Sequence, residues 1–234
     1  MSQLQGYFIT GTDTGVGKTW ISCGLITALQ HRHQRVIGMK PIASGCQRTP
    51  AGLRNDDALR LQAVSTVEVP YDSINPYAFE PPIAPHIAAQ EAGVEIAFTR
   101  IRALAEALAL HADYLIIEGV GGWRVPLGRD GDVAALAKVL KLPVVLVVGI
   151  RLGCINHAFL STEAILASGL PLAGWIGNLI DPHTERVTEN LETLKQGIPA
   201  PCLGITPFLP SFAVEPLTAC LHLEALRPPP RSYS

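Results

Sequence analysis

Nine residues near the start, Gly11-Thr12-Asp13-Thr14-Gly15-Val16-Gly17-Lys18-Thr19, restrict the fold more than any other part of the chain. They follow a short apolar run, Tyr7 to Thr10, and precede Trp20 to Gln30, where Ile21, Leu25, Ile26 and Leu29 recur at helical spacing. A strand that feeds a glycine-rich turn and then a helix is the context a phosphate-binding loop requires. Glycines let backbone N–H groups converge on phosphate oxygens, the helix N-terminus adds partial positive charge, and Lys18 adds a full one. The hydroxyl of Thr19 is then placed to ligand a magnesium ion between the β- and γ-phosphates. The spacing departs from the common pattern. Five residues, rather than four, separate Gly11 from Gly17, and Thr12 stands where glycine is usual.

A chain of 234 residues, 48% apolar and only 16% charged, holds enough material for one well-buried α/β domain. That domain is expected over residues 1–226, with 227–234 and its three consecutive prolines a frayed tail. A net charge of −2 gives no general attraction to nucleic acid or to an anionic membrane. The longest apolar stretch, Leu142 to Ile150, is too short to span a bilayer, and the N-terminus does not read as a signal peptide. The dispersed cysteines 23, 46, 154, 202 and 220 form no Cys-x-x-Cys pair, which points to free, mostly buried thiols in a reducing cytoplasm.

Short β-rich runs recur at Tyr7–Thr10, Val36–Met39, Tyr114–Ile117, Pro143–Ile150 and Leu172–Gly177. Helical patterns lie between and beyond them, near 19–31, 55–64, 95–111, 131–140, 155–168 and 184–195. Such alternation predicts an α/β fold with one doubly wound, mostly parallel sheet and helices on both faces, as in P-loop NTPases. Ligands of these sheets bind outside the carboxyl ends of the strands.

Several motifs fall at those ends. Lys40 follows the second strand, and the loop Pro41 to Gly45 carries Ser44. Asp56-Asp57 opens a helix, where acids either complement the helix N-terminus or reach a magnesium ion. Prolines 70, 76, 81, 82 and 85, interleaved with Tyr71, Tyr77 and Phe79, predict a semi-rigid loop without regular structure over 70–90. Glu118 stands at the tip of an apolar strand, where P-loop enzymes hold magnesium or its waters. Gly119, Val120 and Gly121 follow it, and the glycines let backbone pass close to a phosphate. Arg151 to His157 leads into another helix N-terminus, suited to a carboxylate, with His157 read as capping or packing. Asn178 ends the strand after it, and its amide both donates and accepts, as purine recognition needs. Thr206 to Pro210 reads as a stiff loop, followed by a short helix from Leu217 to Leu226.

Taken in order from about residue 6 to 210, these segments closely resemble dethiobiotin synthetases: the phosphate loop, Lys40-Pro-Ile-Ala-Ser-Gly45, Arg54-Asn-Asp-Asp57, Pro85-His86, Glu118-Gly-Val-Gly-Gly-Trp123 and Leu152-Gly-Cys-Ile-Asn-His157. The resemblance implies a cytoplasmic, homodimeric ligase that uses ATP, Mg2+ and CO2 to convert 7,8-diaminononanoate into dethiobiotin. By the same resemblance, Gly15, Val16, Gly17, Lys18, Thr19 and Trp20 wrap the nucleotide phosphates, joined by Glu118 to Gly121. Thr19, Asp57 and Glu118 surround magnesium, while Thr14, Lys18 and Lys40 hold a carbamate intermediate and Ser44 touches the diamine. Backbone at Gly153, Cys154, Ile155 and Asn156 receives the substrate carboxylate across the dimer interface. Asn178 with Pro207, Phe208 and Leu209 binds adenine. Leu179, where relatives often carry an acid, departs from the pattern, and Glu215 is only a candidate for the acid on the nucleotide side.

The competing class is a switch ATPase of the ParA or MinD kind. Those proteins carry a signature lysine early in the phosphate loop, where this chain has Asp13. A GTPase is a poorer match, since no Asn-Lys-x-Asp motif occurs.

Overall fold

The computed structural model describes residues 4–226, so the tail expected at 227–234 lies outside the described residues. Six strands form the central sheet: β1 (Gly6–Gly11), β2 (Val36–Met39), β3 (Tyr114–Gly122), β4 (Val144–Ile150), β5 (Leu172–Leu179) and β6 (Cys202–Thr206). Their order is β6-β5-β4-β1-β3-β2, and each neighbouring pair is parallel. From β1 the chain winds to one side through β2 and β3, then to the other through β4, β5 and β6. The carboxyl end of β1 therefore lies where the winding reverses, the place at which such sheets bind ligands.

Nine helices cover the described part of this sheet and its rim: α1 (Lys18–Gln30), α2 (Asp56–Val64), α3 (Tyr71–Ile74), α4 (Pro85–Glu91), α5 (Phe98–Ala109), α6 (Val133–Leu140), α7 (Cys154–Ala167), α8 (Val187–Gly197) and α9 (Val214–Ala219). Strand residues alternate between two cores, as the two-residue pleat dictates. Ile9, Ile116, Val145 and Val147 pack with Ile21 and Leu25 of α1, Leu61 of α2 and Leu217 of α9. Phe8, Leu115, Ile117, Val144 and Leu146 pack with residues of α5, α6, α7 and α8 on the other side. A strand buried on both faces tolerates no polar position, which is why Val144 to Val148 is continuously apolar. Gly24 lets α9 lie against α1, because a Cβ there would sit 3.2 Å from Leu217 Cβ.

The five predicted strands and six predicted helices are present, with four differences. β6 is an unforeseen edge strand: only Leu203 and Ile205 alternate in a five-residue run that includes Gly204, too short a pattern to stand out. Thr206 consequently ends a strand instead of opening a loop. The 70–90 region is more regular than its prolines suggested. It contains α3, α4 and a strand Tyr77–Ala78 paired in parallel with Ile42–Ala43, because Pro85 occupies the first turn of α4, where its missing N–H costs nothing. The last helix lies earlier than expected and stops at Ala219, since the His222 N–H turns back to donate to Leu203 O of β6 at 2.7 Å. Finally, β3 runs on to Gly122 and β5 to Leu179, so Glu118 and Asn178 are strand residues rather than residues just past a strand.

Candidate active site

The phosphate loop joins β1 to α1. Gly15 and Gly17 have φ of 75° and 89°, left-handed values that a side chain strains, and Gly17 is the N-cap of α1. A Cβ on Gly17 would also sit 2.1 Å from Asn178 Nδ2, so β5 packs directly on the loop. Asn178 Nδ2 donates to Val16 O at 2.9 Å. Lys18 Nζ folds back to donate to Asp13 O at 2.9 Å. The Asp13 carboxylate accepts from the Thr14 N–H at 2.7 Å and pairs with Arg151 at 2.7 Å. Asp13, at the place of a switch protein's signature lysine, therefore ties the loop to the end of β4.

Opposite the loop lies a cluster of buried charge. Lys40 Nζ is 2.5 Å from Glu118 Oε1 and 3.3 Å from Asp57, and it also donates to Gly119 O at 3.3 Å. Thr19 Oγ1 donates to the same Glu118 Oε1 at 2.9 Å, while Glu118 Oε2 is buried without a partner among the described residues. Asn55 caps α2, accepting from the Asp57 and Ala58 N–H groups, and so aims the first turn of that helix at the cluster. Asn75 fixes the backbone beside Lys40 by donating to Lys40 O at 2.7 Å. Burial opposes the charge on Lys40, but Glu118 and Asp57 outweigh it and hold its pKa above the ordinary lysine value. Burial likewise opposes ionisation of Asp57, yet Lys40 and the Thr19 hydroxyl hold its pKa below the usual carboxylate range. For Lys18 burial wins: with the repulsion of Lys40 it lowers the pKa to about 8, against the pull of Glu118, Asp57 and Asp13.

Loop and cluster face one cavity of about 800 Å³. Of the residues picked out from the sequence, Thr14, Gly15, Gly17, Lys18, Thr19, Trp20, Lys40, Ser44, Asp57, Glu118, Val120, Gly121, Asn178, Phe208 and Leu209 line it. Val16 and Gly119 touch that lining through their carbonyls. Ser44 Oγ is buried and has no hydrogen-bond partner among the described residues. Gly153, Cys154, Ile155 and Asn156 lie elsewhere, at the start of α7, and are not among the lining residues, nor is Pro207. Glu215 is exposed in the first turn of α9 and does not line the cavity either. His157 lines a separate cavity of about 380 Å³ with Thr12, Asp13 and Trp123. The cavity adds Ile83, Ala84, Val125 and Ile180, and it brings in Asn55, Pro82, Pro85 and Leu179, which the sequence reading named without assigning them a ligand. Asn55 was detectable as a cap candidate before Asp56-Asp57, whereas of the wall 82–85 only Pro85 belongs to a recognisable segment.

Thr19, Asp57 and Glu118 present a hydroxyl and two carboxylates, one with a buried unpartnered oxygen. All-oxygen donors with few carboxylates suit Mg2+, which keeps waters and phosphates among its ligands. A parallel sheet with a glycine-rich loop, Lys18 and Thr19 at the start of α1, and an acid on the neighbouring strand defines a P-loop nucleotide-binding protein. A family model described as an AAA domain matches residues 5–215. Among solved structures, the MinD cell division protein of Aquifex aeolicus superposes with a TM-score of 0.54 at 17% identity, covering 94% of this chain and 88% of that one. A ParA family ATPase from Chlorobium tepidum gives 0.52 at 16% identity, covering 94% and 92%. At these identities the likeness concerns the fold alone.

Sequence relatives are far nearer. ATP-dependent dethiobiotin synthetase BioD of Pseudomonas paraeruginosa is 52% identical over 96% of this chain and 98% of its own length. The enzyme of the same name from Xylella fastidiosa is 51% identical over 94% and 97%, and that of Cellvibrio japonicus 49% over 95% and 97%. The chain belongs to the dethiobiotin synthetase family.

Proposed function

We propose that this chain is a biotin-biosynthesis ligase that uses ATP to carboxylate 7,8-diaminononanoate with CO2 and close its ureido ring, giving dethiobiotin. The observation that carries this is identity near one half with enzymes of that name along nearly the whole chain. One amine adds to CO2 to form a carbamate, a carbamate oxygen takes the γ-phosphoryl group of ATP, and the second amine attacks the mixed anhydride and expels phosphate. No step needs a protein nucleophile.

The residues divide the work by charge. A carbamate and a triphosphate are both anions, so bringing them together requires cations that converge in a dry site. Lys18 and Lys40 supply two, each buried on the cavity wall. The hydroxyl of Thr14 and these two ammonium groups are assigned to the carbamate, and the Ser44 hydroxyl to the diamine. The backbone of residues 15–20 and 119–121 is assigned to the phosphates, and Asn178, Pro207, Phe208 and Leu209 to adenine. Thr19, Asp57 and Glu118 are the residues to hold Mg2+, which when bound neutralises phosphate charge. Gly153 to Asn156, outside the cavity of their own chain, suit a role in the site of a second copy, so the acting unit is a homodimer of a domain spanning residues 1–226. Among the described residues no helix is long and apolar enough to cross a membrane, and a cytoplasmic location fits free ATP and diamine.

The deciding experiment incubates the protein with ATP, Mg2+, labelled bicarbonate and the diamine. Label in an acid-stable ring product, with ADP release that depends on the diamine, is the expected result. Diamine-independent ATP hydrolysis without fixed carbon overturns the assignment.

A further inference from the structure

Asn178 and Thr206 are register partners on β5 and β6, so the sheet itself sets their side chains next to each other. Thr206 Oγ1 lies 2.6 Å from Asn178 Oδ1 and 3.4 Å from Gly177 O, and the Thr206 side chain is fully buried. At its other end, the Asn178 amide donates from Nδ2 to Val16 O. The Val16 carbonyl can only accept, so the nitrogen end of the amide must face it. The oxygen end then faces Thr206, whose single hydroxyl proton is committed to Oδ1. A flipped amide would set oxygen against the Val16 carbonyl and leave Thr206 Oγ1 to accept. Two bonds of opposite sense therefore clamp one orientation.

We propose that Thr206, which does not line the cavity, is a positioning residue that sets the base preference of the nucleotide site by holding the Asn178 amide in this orientation. The inference rests on Asn178 contacting the base as proposed above. Clamped in this way, the amide retains one N–H and one Oδ1 lone pair. The matching edge of adenine offers the N7 acceptor beside the N6 amino donor, whereas guanine offers two acceptors, N7 and O6. The held amide satisfies adenine at both atoms and guanine at one, with a lone pair set against O6. Without the Thr206 proton, Oδ1 is buried without its donor and the orientation is held from one side only.

The test compares T206V, which keeps the shape and removes the proton, with T206S, which restores the proton, and with N178A. Rates with ATP and with GTP as the varied nucleotide are measured alongside calorimetric ADP and GDP binding. T206V is expected to raise KM for ATP and Kd for ADP by about 10-fold, with the guanine nucleotides much less affected and the loss falling on KM rather than kcat. T206S is expected to recover the preference. A T206V protein that melts earlier but keeps its adenine-to-guanine ratio, while N178A loses it, overturns the role of Thr206 and leaves that of Asn178 standing. N178A with an unchanged ratio overturns both. Should T206V fold poorly, T206A binding of ADP against GDP gives the same decision.

Discussion

Lys40 Nζ lies 2.5 Å from Glu118 Oε1 in a site where both side chains are almost wholly buried. The ammonium also reaches Asp57 at 3.3 Å, so a single cation pairs with both acids assigned to Mg2+. Removing it in Lys40→Met leaves Glu118 buried without its ammonium partner. Breaking one partner of a buried pair costs about 3–5 kcal/mol, and the partly exposed Asp57 moves the expectation to the lower end. Melting is expected several degrees below wild type, with added Mg2+ recovering more stability in the variant than in the wild type. A thermal-shift titration with Mg2+ reads this directly, and an equal Mg2+ response in both proteins counts against the shared position.

The same substitution separates stability from chemistry. Measured at a temperature where Lys40→Met is folded by circular dichroism, carbon fixation is expected to fall about 100- to 1,000-fold, the usual effect of removing one preorganised stabiliser of transition-state charge. ADP binding is expected to persist, since the phosphate loop is untouched. Turnover near the wild-type rate would remove Lys40 from the carbamate site.

Gly17 offers a test of the loop and of its seat against β5. Gly17→Ala places a methyl 2.1 Å from Asn178 Nδ2 at a backbone φ of 89°, so loop and β5 must part. The fold is expected to survive, because Gly17 sits at a helix cap rather than in the core, while ADP affinity drops at least about 10-fold by calorimetry. An alanine variant with wild-type ADP affinity would show that the loop does not hold phosphate in this conformation.

What the sequence made legible, and what it did not, follows from how each residue acts. Lys18 and Thr19 were readable from the phosphate-loop motif that opens α1, and Lys40 and Glu118 from the apolar runs directly before them, which fix where a side chain goes. Asp57 was ambiguous from its own position, because an acid at a helix start has a local explanation; the resemblance put it with the magnesium ligands, and the folded chain brings it to Lys40. The proline-rich 70–90 loop could be read as a wall, but not which residues line it: Pro82 to Pro85 do, rather than its aromatics or His86. Thr206 was misread as a loop residue because β6 is short and glycine-bearing, and its bond to Asn178 spans strands 28 residues apart. Side chains that act through pairing across a sheet leave no local signal.

The pKa of Lys18, lowered to about 8 by burial, sets a pH dependence with a definite sign. In the unfolded chain this lysine holds its proton to near 10.5, so between 8 and 10.5 the unfolded state binds more protons and folding stability rises with pH through that window. Nucleotide acts in the opposite direction. Phosphate favours the charged form, raises the pKa and so makes binding take up a proton above pH 8. ADP affinity is expected to weaken as pH rises from 7 to 9. Calorimetry in buffers of different ionisation enthalpy is expected to show proton uptake at pH 8.5 that disappears in Lys18→Met. Binding without net uptake at that pH would mean that Lys18 is already fully charged in the free protein.

The first turn of α7 points to the last test. Gly153 to Asn156 are outside the main cavity, and the neighbouring Leu152 is 98% exposed, with Leu160, eight residues on, 58% exposed. Large aliphatic side chains so bare, beside a helix N-terminus assigned to a substrate carboxylate, suit a surface that a second copy covers. If that copy is present, Leu152→Glu places a charge in a drying interface, an unfavourable burial without a partner. The wild type is expected to run by light scattering at about twice the 25.0 kDa chain mass and the variant at the chain mass. The kinetic consequence discriminates further. The nucleotide contacts proposed above lie within one chain, so ADP affinity is expected to stay within about twofold, whereas KM for the diamine is expected to rise about 10-fold or more as the proposed carboxylate contact with the partner's backbone is lost. A monomeric variant with unchanged diamine KM would return the carboxylate site to the chain that holds the phosphate loop.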